Sequence, residues 1–366
     1  MLFEIDSDFP SGNIIVDRID GDTVFLRQDW ESSREWWFYW HFRVRGAQRR
    51  NLRFQFTDGD VFAACGPCVN RDQQNWYWLG RDAVKDNGFS FEFGDSDDEV
   101  YFAFCFPYHQ TDYHKLLLGR EEVQQTLCLS EQNRPVDHFF APSRHGGKFA
   151  LFTARTHACE TMANFVLEGV MESWHLPIED EGFLDVSDYL QENIDLHIIP
   201  FMDKDGVENG EQGKNRKPHD HNRDFTDSPL YASTRALMEQ APTWGECVFY
   251  LDLHCPWIRG GRNEELFFLG LPPENHMELK RFMEILQATQ TGPLRFDARH
   301  TIMPGQEWYQ SDAPTVARWA RLNLSPKIAT TLEIPYALAG GEIMTPGKAH
   351  LFGMDLGRAI GLYVQS

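Results

Sequence analysis

Apolar and polar positions alternate with a period of two through the first part of the chain. In "WWFYWHFRVRG", Phe38, Trp40, Phe42 and Val44 fall on one face, while His41, Arg43 and Arg45 fall on the other. "NLRFQFTD" repeats the pattern with Leu52, Phe54 and Phe56, and "TVFLRQ", "FSFEFG" and "VYFAFCF" add further strand-length runs. Asp20-Gly21-Asp22 and the acidic stretch 95–98 supply turn material between them. Many short strands separated by Gly/Asp turns predict an antiparallel β-sandwich over residues 1–106.

Near residue 107 the pattern changes. "KFALFTAR", "DLHIIPF" and "CVFYLDLH" are apolar runs of strand length, and helical stretches now separate them. Met162, Phe165, Val166, Gly169 and Val170 recur at three- and four-residue spacing, as one face of a helix requires, and "MELKRFMEILQAT" predicts another. Strand–helix alternation predicts an α/β/α domain with a mixed central sheet over residues 107–366. Residues 202–228 form a long polar stretch, which in a compact domain is functional or disordered.

Composition narrows the function. A chain of 366 residues exceeds one typical domain, and 42% apolar residues suffice for proper cores. A formal net charge of −21 repels phosphate backbones, which argues against a nucleic-acid partner. No apolar run is long enough for a membrane span. The start, "MLFEIDSDFPSGN", carries acidic residues where a secretory signal needs basic ones, so the chain reads as cytoplasmic. Seven cysteines, several within apolar runs, suit reduced buried thiols. Cys65-Gly66-Pro67-Cys68 matches a redox tetrapeptide, but no amphipathic helix follows it, so it reads as a loop.

Candidate chemistry begins at "LFTARTHACETMANF". His157 and Glu160 follow a buried-strand pattern and precede a helix, at the strand end where open sheets collect ligands. A catalytic zinc site uses three protein ligands and keeps a fourth position open. "CVFYLDLHCPW" supplies a third, His254, again at a strand end. Singly, each of these is more often an ordinary polar residue. The polar stretch between them holds Arg216, Asp220, Asn222 and Arg223, types suited to orienting an imidazole or binding a carboxylate or oxyanion.

With these residues in place, the chain resembles the metallocarboxypeptidases related to carboxypeptidase A, and especially their cytosolic-carboxypeptidase branch. "TARTHACET" looks like the first zinc motif. "IIPFMDKDGVENG" with "NRKPHDHNRD" looks like the segment ending in Asp-Leu-Asn-Arg. "LDLHCPW" resembles the second zinc-ligand strand, and "TTLEIPYA" the strand bearing the catalytic Glu. An N-terminal β-sandwich also fits that branch, and "CFPYHQTDYHKLL" resembles its connection to the catalytic domain.

The resemblance implies a carboxypeptidase-like fold with Zn²⁺ on His157, Glu160 and His254, and Asp220 behind His157. It implies Asn222 and Arg223 on the substrate's C-terminal carboxylate, and Arg216 on the scissile carbonyl. Glu333 would be general base towards water and then acid for the leaving amine. Tyr309 is a loose counterpart of a mobile substrate-covering Tyr. Arg318 is a candidate for a side-chain pocket favouring acidic residues. The substrate would be a peptide or protein C-terminus, with no nucleic-acid or membrane partner. The chain departs from the branch at His221, where Leu is usual, and at Cys255-Pro256, where Gly is usual. A deacylase or amidase on the same fold, and a catalytically silent peptide-binding protein, are the competing functions.

Overall fold

The structure is a computed structural model describing residues 3–30, 36–72, 75–119, 123–175 and 181–366. Two five-stranded sheets form the N-terminal part. One runs in the order Glu4–Asp6, His41–Arg45, Glu99–Ala103, Cys68–Asn70, Trp76–Trp78, and the other in the order Ile15–Asp20, Thr23–Arg27, Asn51–Phe56, Gly88–Glu92, Val84–Lys85. All neighbours pair antiparallel except Thr23–Arg27 and Asn51–Phe56, which run parallel. Between the sheets sits an aromatic core. The Phe42 ring lies 5.3 Å from Phe54 and 5.2 Å from Phe102, and Trp40 lies 5.0 Å from Phe56. Offset and edge-on ring pairs of this kind add stabilisation beyond the area they bury.

The alternation in "WWFYWHFRVRG" holds for Phe38, Trp40, Phe42 and Val44, but the opposite face does not meet solvent at its start. Trp37, Tyr39 and His41 are buried too. His41 is covered by the N-terminal segment: its ring packs edge-on against Phe9, and its Nδ1 lies 3.2 Å from the Ser11 hydroxyl. The Tyr39 hydroxyl donates to the Ser11 carbonyl at 2.6 Å. Cys65 and Cys68 are buried free thiols, Cys68 opens a strand, and the next described element is the strand Trp76–Trp78.

The remaining chain forms an eight-stranded mixed sheet. Its order is Gln124–Leu129, Pro135–Ala141, Asp195–Ile199, Lys148–Ala154, Glu246–His254, Ala329–Glu333, Phe267–Leu269, Thr301–Ile302. The strands from Asp195–Ile199 through Ala329–Glu333 run parallel, with antiparallel strands on both flanks. Alternate residues of one central strand show the layers. Ala150, Phe152 and Ala154 enter the core that contains helices Met162–His175 and Pro346–Gln365. Phe149 and Leu151 enter a second core, with helices Ala232–Gln240 and Val316–Asn323. Both faces are therefore covered, which explains the near-continuous apolar character of these strands. Gly169 is required where the first pair of helices cross, because a Cβ there would lie 1.9 Å from the His350 carbonyl oxygen.

The stretch 202–228 is ordered, with a short helix at Lys204–Asn209 and a 3₁₀ turn at His221–Arg223. The sandwich is fused to the α/β part. Trp78 Nε1 donates to the Met344 carbonyl at 2.8 Å, Asn13 Nδ2 donates to the Gly210 carbonyl at 2.8 Å, and one apolar cluster runs through both parts.

Candidate active site

Three adjacent parallel strands deliver the site at their carboxyl ends. Lys148–Ala154 runs into a turn bearing His157 and Glu160, Glu246–His254 ends on His254, and Ala329–Glu333 ends on Glu333. Parallel strands aligned this way bring residues distant in sequence to one edge of the sheet. The turn after Ala154 is shaped by Arg155, buried and at φ +56°. Its guanidinium holds the Ala158 carbonyl, the Tyr108 carbonyl at 2.7 Å and Asn164 Oδ1 at 3.0 Å.

His157, Glu160 and His254 offer ligand atoms that all lie within 4.8 Å of one another. His157 Nδ1 is 2.9 Å from Glu160 Oε1, and His254 Nδ1 is 2.9 Å from Glu160 Oε2. The outer nitrogens are both held by carboxylates, His157 Nε2 by Asp220 Oδ1 at 3.2 Å and His254 Nε2 by Asp252 Oδ2 at 2.5 Å. Asp252 is itself fixed by the Thr153 hydroxyl at 2.7 Å. With a cation at the centre, the outer carboxylates would keep Nε2–H outward and leave each Nδ1 lone pair to act as a ligand. Glu160 is fully buried, yet its Oε2 makes no aligned hydrogen bond.

The electrostatics agree with a cation centre. Burial opposes charge on His254, but Asp252 and Glu160 outweigh it and push its pKa well up. Burial likewise opposes charge on Glu160, yet Lys214, His254 and His157 hold its carboxyl well below the usual carboxylate range. Two imidazoles and a buried carboxylate that collect positive charge suit a metal cation, and a His₂Glu donor set is one that zinc uses.

These residues open into a cleft of about 420 Å³, lined also by Lys214, Asp220, Asn222, Arg223, Trp257, Trp308, Tyr309, Arg318, Arg321 and Glu333. Glu333 is buried, and among the described residues its Oε2 has no hydrogen-bond partner. Burial raises its pKa, and His254 offsets part of that rise. Asp220 caps the 3₁₀ turn through the Asn222 amide at 2.7 Å, which aims Asn222 and Arg223 at the cleft. Asn222 Nδ2 lies 3.4 Å from His254 Nε2, and its buried Oδ1 has no partner among the described residues. The Tyr309 hydroxyl donates to the Gly270 carbonyl at 3.1 Å. Among the described residues no carboxylate pairs with the side chains of Arg318 or Arg321, which project from one helix into the same cleft.

Residues 5–105 match the family described as cytosolic carboxypeptidase N-terminal domain. Cytosolic carboxypeptidase 2 of Xenopus tropicalis is 24% identical over 229 residues, which are 57% of this chain and 23% of that protein. Cytosolic carboxypeptidase 6 of Caenorhabditis elegans is 26% identical over 300 residues, 69% of this chain and 62% of that protein. The metallo-carboxypeptidase from Burkholderia cenocepacia superposes over 100% of this chain and 99% of its own, with TM-score 0.82 and 17% identity. The N-terminal part therefore resembles that of the cytosolic carboxypeptidases, and the whole chain has the fold of these bacterial metallo-carboxypeptidase structures. The metallo-carboxypeptidase from Pseudomonas aeruginosa, 22% identical, shares the whole fold at TM-score 0.80 over 99% of both chains. The chain thus spans less than two thirds of these named cytosolic carboxypeptidases, while matching the bacterial structures end to end. Among the described residues no helix is long and apolar enough to cross a membrane.

The structure brings His157, Glu160, Asp220, Asn222, Arg223, His254, Tyr309, Arg318 and Glu333 to one cleft. Arg216, expected at the scissile carbonyl, is the exception: the structure does not bring it to this cleft. Its guanidinium is tied to Asp203 Oδ1 at 2.8 Å and Glu211 Oε2 at 2.7 Å, and it lines a separate cavity with His221 and Tyr231. Two carboxylates in a buried setting hold a guanidinium more firmly than an open cleft can. His221 goes with it, stacked on Tyr231 at 3.6 Å. Sequence reasoning missed Lys214, Asp252, Trp257 and Arg321. Asp252 lies two residues before His254, on the same side of a strand, and Arg321 one helical turn after Arg318, so their spacing carried a signal.

Proposed function

We propose that the protein is a zinc-dependent carboxypeptidase that hydrolyses the C-terminal peptide bond of peptides or protein tails, with a preference for acidic terminal residues, and that it works in the cytoplasm. The convergence of His157 Nδ1, His254 Nδ1 and the Glu160 carboxylate beside Glu333, whose Oε2 has no hydrogen-bond partner among the described residues, carries this reading. His157, Glu160 and His254 would hold the zinc, with Asp220 and Asp252 fixing the two imidazoles. Bound there, zinc would supply Lewis-acid polarisation and lower the pKa of water.

The chain's own groups account for the remaining chemistry. Arg223 and Asn222 grip the free C-terminal carboxylate, a group that an internal peptide bond does not offer, and this favours exopeptidase action. Glu333, with its raised pKa, takes a proton from water as the new C–O bond forms. It returns that proton to the amine nitrogen as the C–N bond breaks. Tyr309 and Arg318 line the space for the terminal side chain, and the guanidinium of Arg318 favours a carboxylate there. The decisive experiment compares peptides with free and amidated C-termini, with and without a chelator. Chelator-sensitive release of the last residue from free peptides only is the expected result. Equal rates on amidated peptides would point instead to an amidase or deacylase on this fold, and no hydrolysis with zinc bound to a silent peptide binder.

A further inference from the structure

With Arg216 turned away, the metal side of the cleft lacks the charge expected beside the scissile carbonyl. The cation that stands there is Lys214. We propose that Lys214 is a catalytic residue whose ammonium donates a hydrogen bond to the scissile carbonyl oxygen and stabilises the negative charge that develops on it. This rests on the carboxypeptidase reading above.

The geometry points to Lys214 in three ways. It lines the same cleft as His157, His254 and Glu333. Its ammonium contacts Glu160 Oε1 and donates to the Cys255 carbonyl at 2.8 Å. A lysine ammonium has three N–H groups, so among the described residues two are used by the protein and one is left for a ligand. The group is also fixed in advance. Gly213, at φ +82°, packs so tightly on the metal motif that a Cβ would lie 2.4 Å from the Ala158 nitrogen. Gln212 Oε1 accepts from the Phe38 amide at 2.7 Å, Gln212 Nε2 donates to the Trp36 carbonyl at 3.0 Å, and the Gln212 carbonyl accepts from the Cys159 amide at 3.0 Å. A buried, preorganised charge next to the reacting bond is the arrangement that stabilises a developing oxyanion most.

The step balances without a change in protonation of Lys214. As water adds to the carbonyl carbon and Glu333 takes its proton, the carbonyl π pair moves to the oxygen facing Lys214. On collapse the C=O bond reforms, the C–N bond breaks, and the proton on Glu333 goes to the amine.

The test uses the zinc-loaded full chain and its Lys214→Gln, Lys214→Arg and Arg216→Gln variants. Three quantities are read: kcat and KM on a peptide with a free C-terminal glutamate, the affinity for a phosphonate analogue of that peptide, and zinc per chain. Lys214→Gln is expected to lower kcat about 100- to 1000-fold, as loss of one oxyanion donor does. Phosphonate affinity should fall with it, while KM and zinc content hold. Lys214→Arg should recover much of the loss, which a merely misfolded site would not allow. The proposal is overturned if Lys214→Gln keeps wild-type kcat, if it loses zinc together with activity, or if Arg216→Gln shows the kcat-selective loss instead. If the wild type cleaves no such peptide, the carboxypeptidase reading fails by itself. The role of Lys214 is then decided by phosphonate binding, supported if Lys214→Gln abolishes it and overturned if binding is unchanged.

Discussion

Glu333 lies directly across from His254 on the neighbouring parallel strand, each the last residue of its strand. The register places a buried carboxylate one strand spacing from a candidate metal ligand, with no side chain between them in the ladder. Glu333→Gln keeps that shape and removes the base. Its kcat should fall about 100- to 10,000-fold, the range for a lost general base, with zinc content unchanged by elemental analysis. A variant that keeps full activity would remove Glu333 from the mechanism.

The carboxylates behind the imidazoles have a separable effect. Asp252→Asn leaves His254 with a poorer acceptor at Nε2, and Asp220→Asn does the same for His157. Each should weaken zinc affinity about 10- to 100-fold, measured by competition with a chromophoric chelator. Unchanged affinity in both would mean that the imidazoles are oriented by packing alone.

Arg318 and Arg321 carry the selectivity forecast. Arg318→Ala should reduce kcat/KM for C-terminal glutamate by about tenfold, the equivalent of about 1.4 kcal/mol, and leave C-terminal leucine nearly untouched. Parallel losses on both substrates would show that Arg318 only supports the helix.

Arg216 should behave as a stability residue. Arg216→Met strips the partner from the buried Asp203 carboxylate, and breaking such a pair costs about 3 kcal/mol or more. Urea denaturation should therefore shift to lower concentration, while kcat at low temperature stays within about threefold of wild type.

Acid sensitivity should trace to a buried histidine pair. His138 Nε2 and His197 Nδ1 are 2.9 Å apart, and His197 stacks on Trp244 at 4.1 Å. Burial lowers the pKa of His138 to about 4 and that of His197 to about 3. In the unfolded chain both would take up protons near pH 6.5, so the unfolded state binds more protons as pH falls. The stabilisation is thus complete above pH 6.5 and is lost as pH drops towards 4, by up to about 1.4 kcal/mol per pH unit for each histidine. Urea melts at pH 7, 6 and 5 should show this slope, and His138→Gln should flatten it. An identical slope in the variant would assign the acid sensitivity elsewhere, for example to His41, also buried with a lowered pKa.

The strands and their terminal residues were readable in the chain because each is a long apolar run stopped by one polar group, as at His254 and Glu333. The sandwich was readable from alternation, but alternation assumes that one face is wet. Trp37 and Tyr39 break that assumption because they are buried, Tyr39 between Ser11 of the N-terminal segment and Gln212. The choice between Lys214 and Arg216 was not readable. Gly213 at φ +82° and Asn215 at φ +52° reverse the chain around Lys214, so two cations two residues apart face different cavities. Residue spacing holds no record of such a reversal. The arginine more suited to carboxylate forks was taken by Asp203 and Glu211 instead.

Gln212 also bears on how far the two halves can be treated as interchangeable parts. Its amide is gripped by backbone from 36–39 on one side, while its carbonyl holds the metal motif on the other. A hybrid that grafts a foreign sandwich onto this α/β part would inherit a mismatched seam at that glutamine. Recombination at residue 106 would cut the gene cleanly and still divide the working unit, unless the 36–39 segment and its glutamine partner travel together.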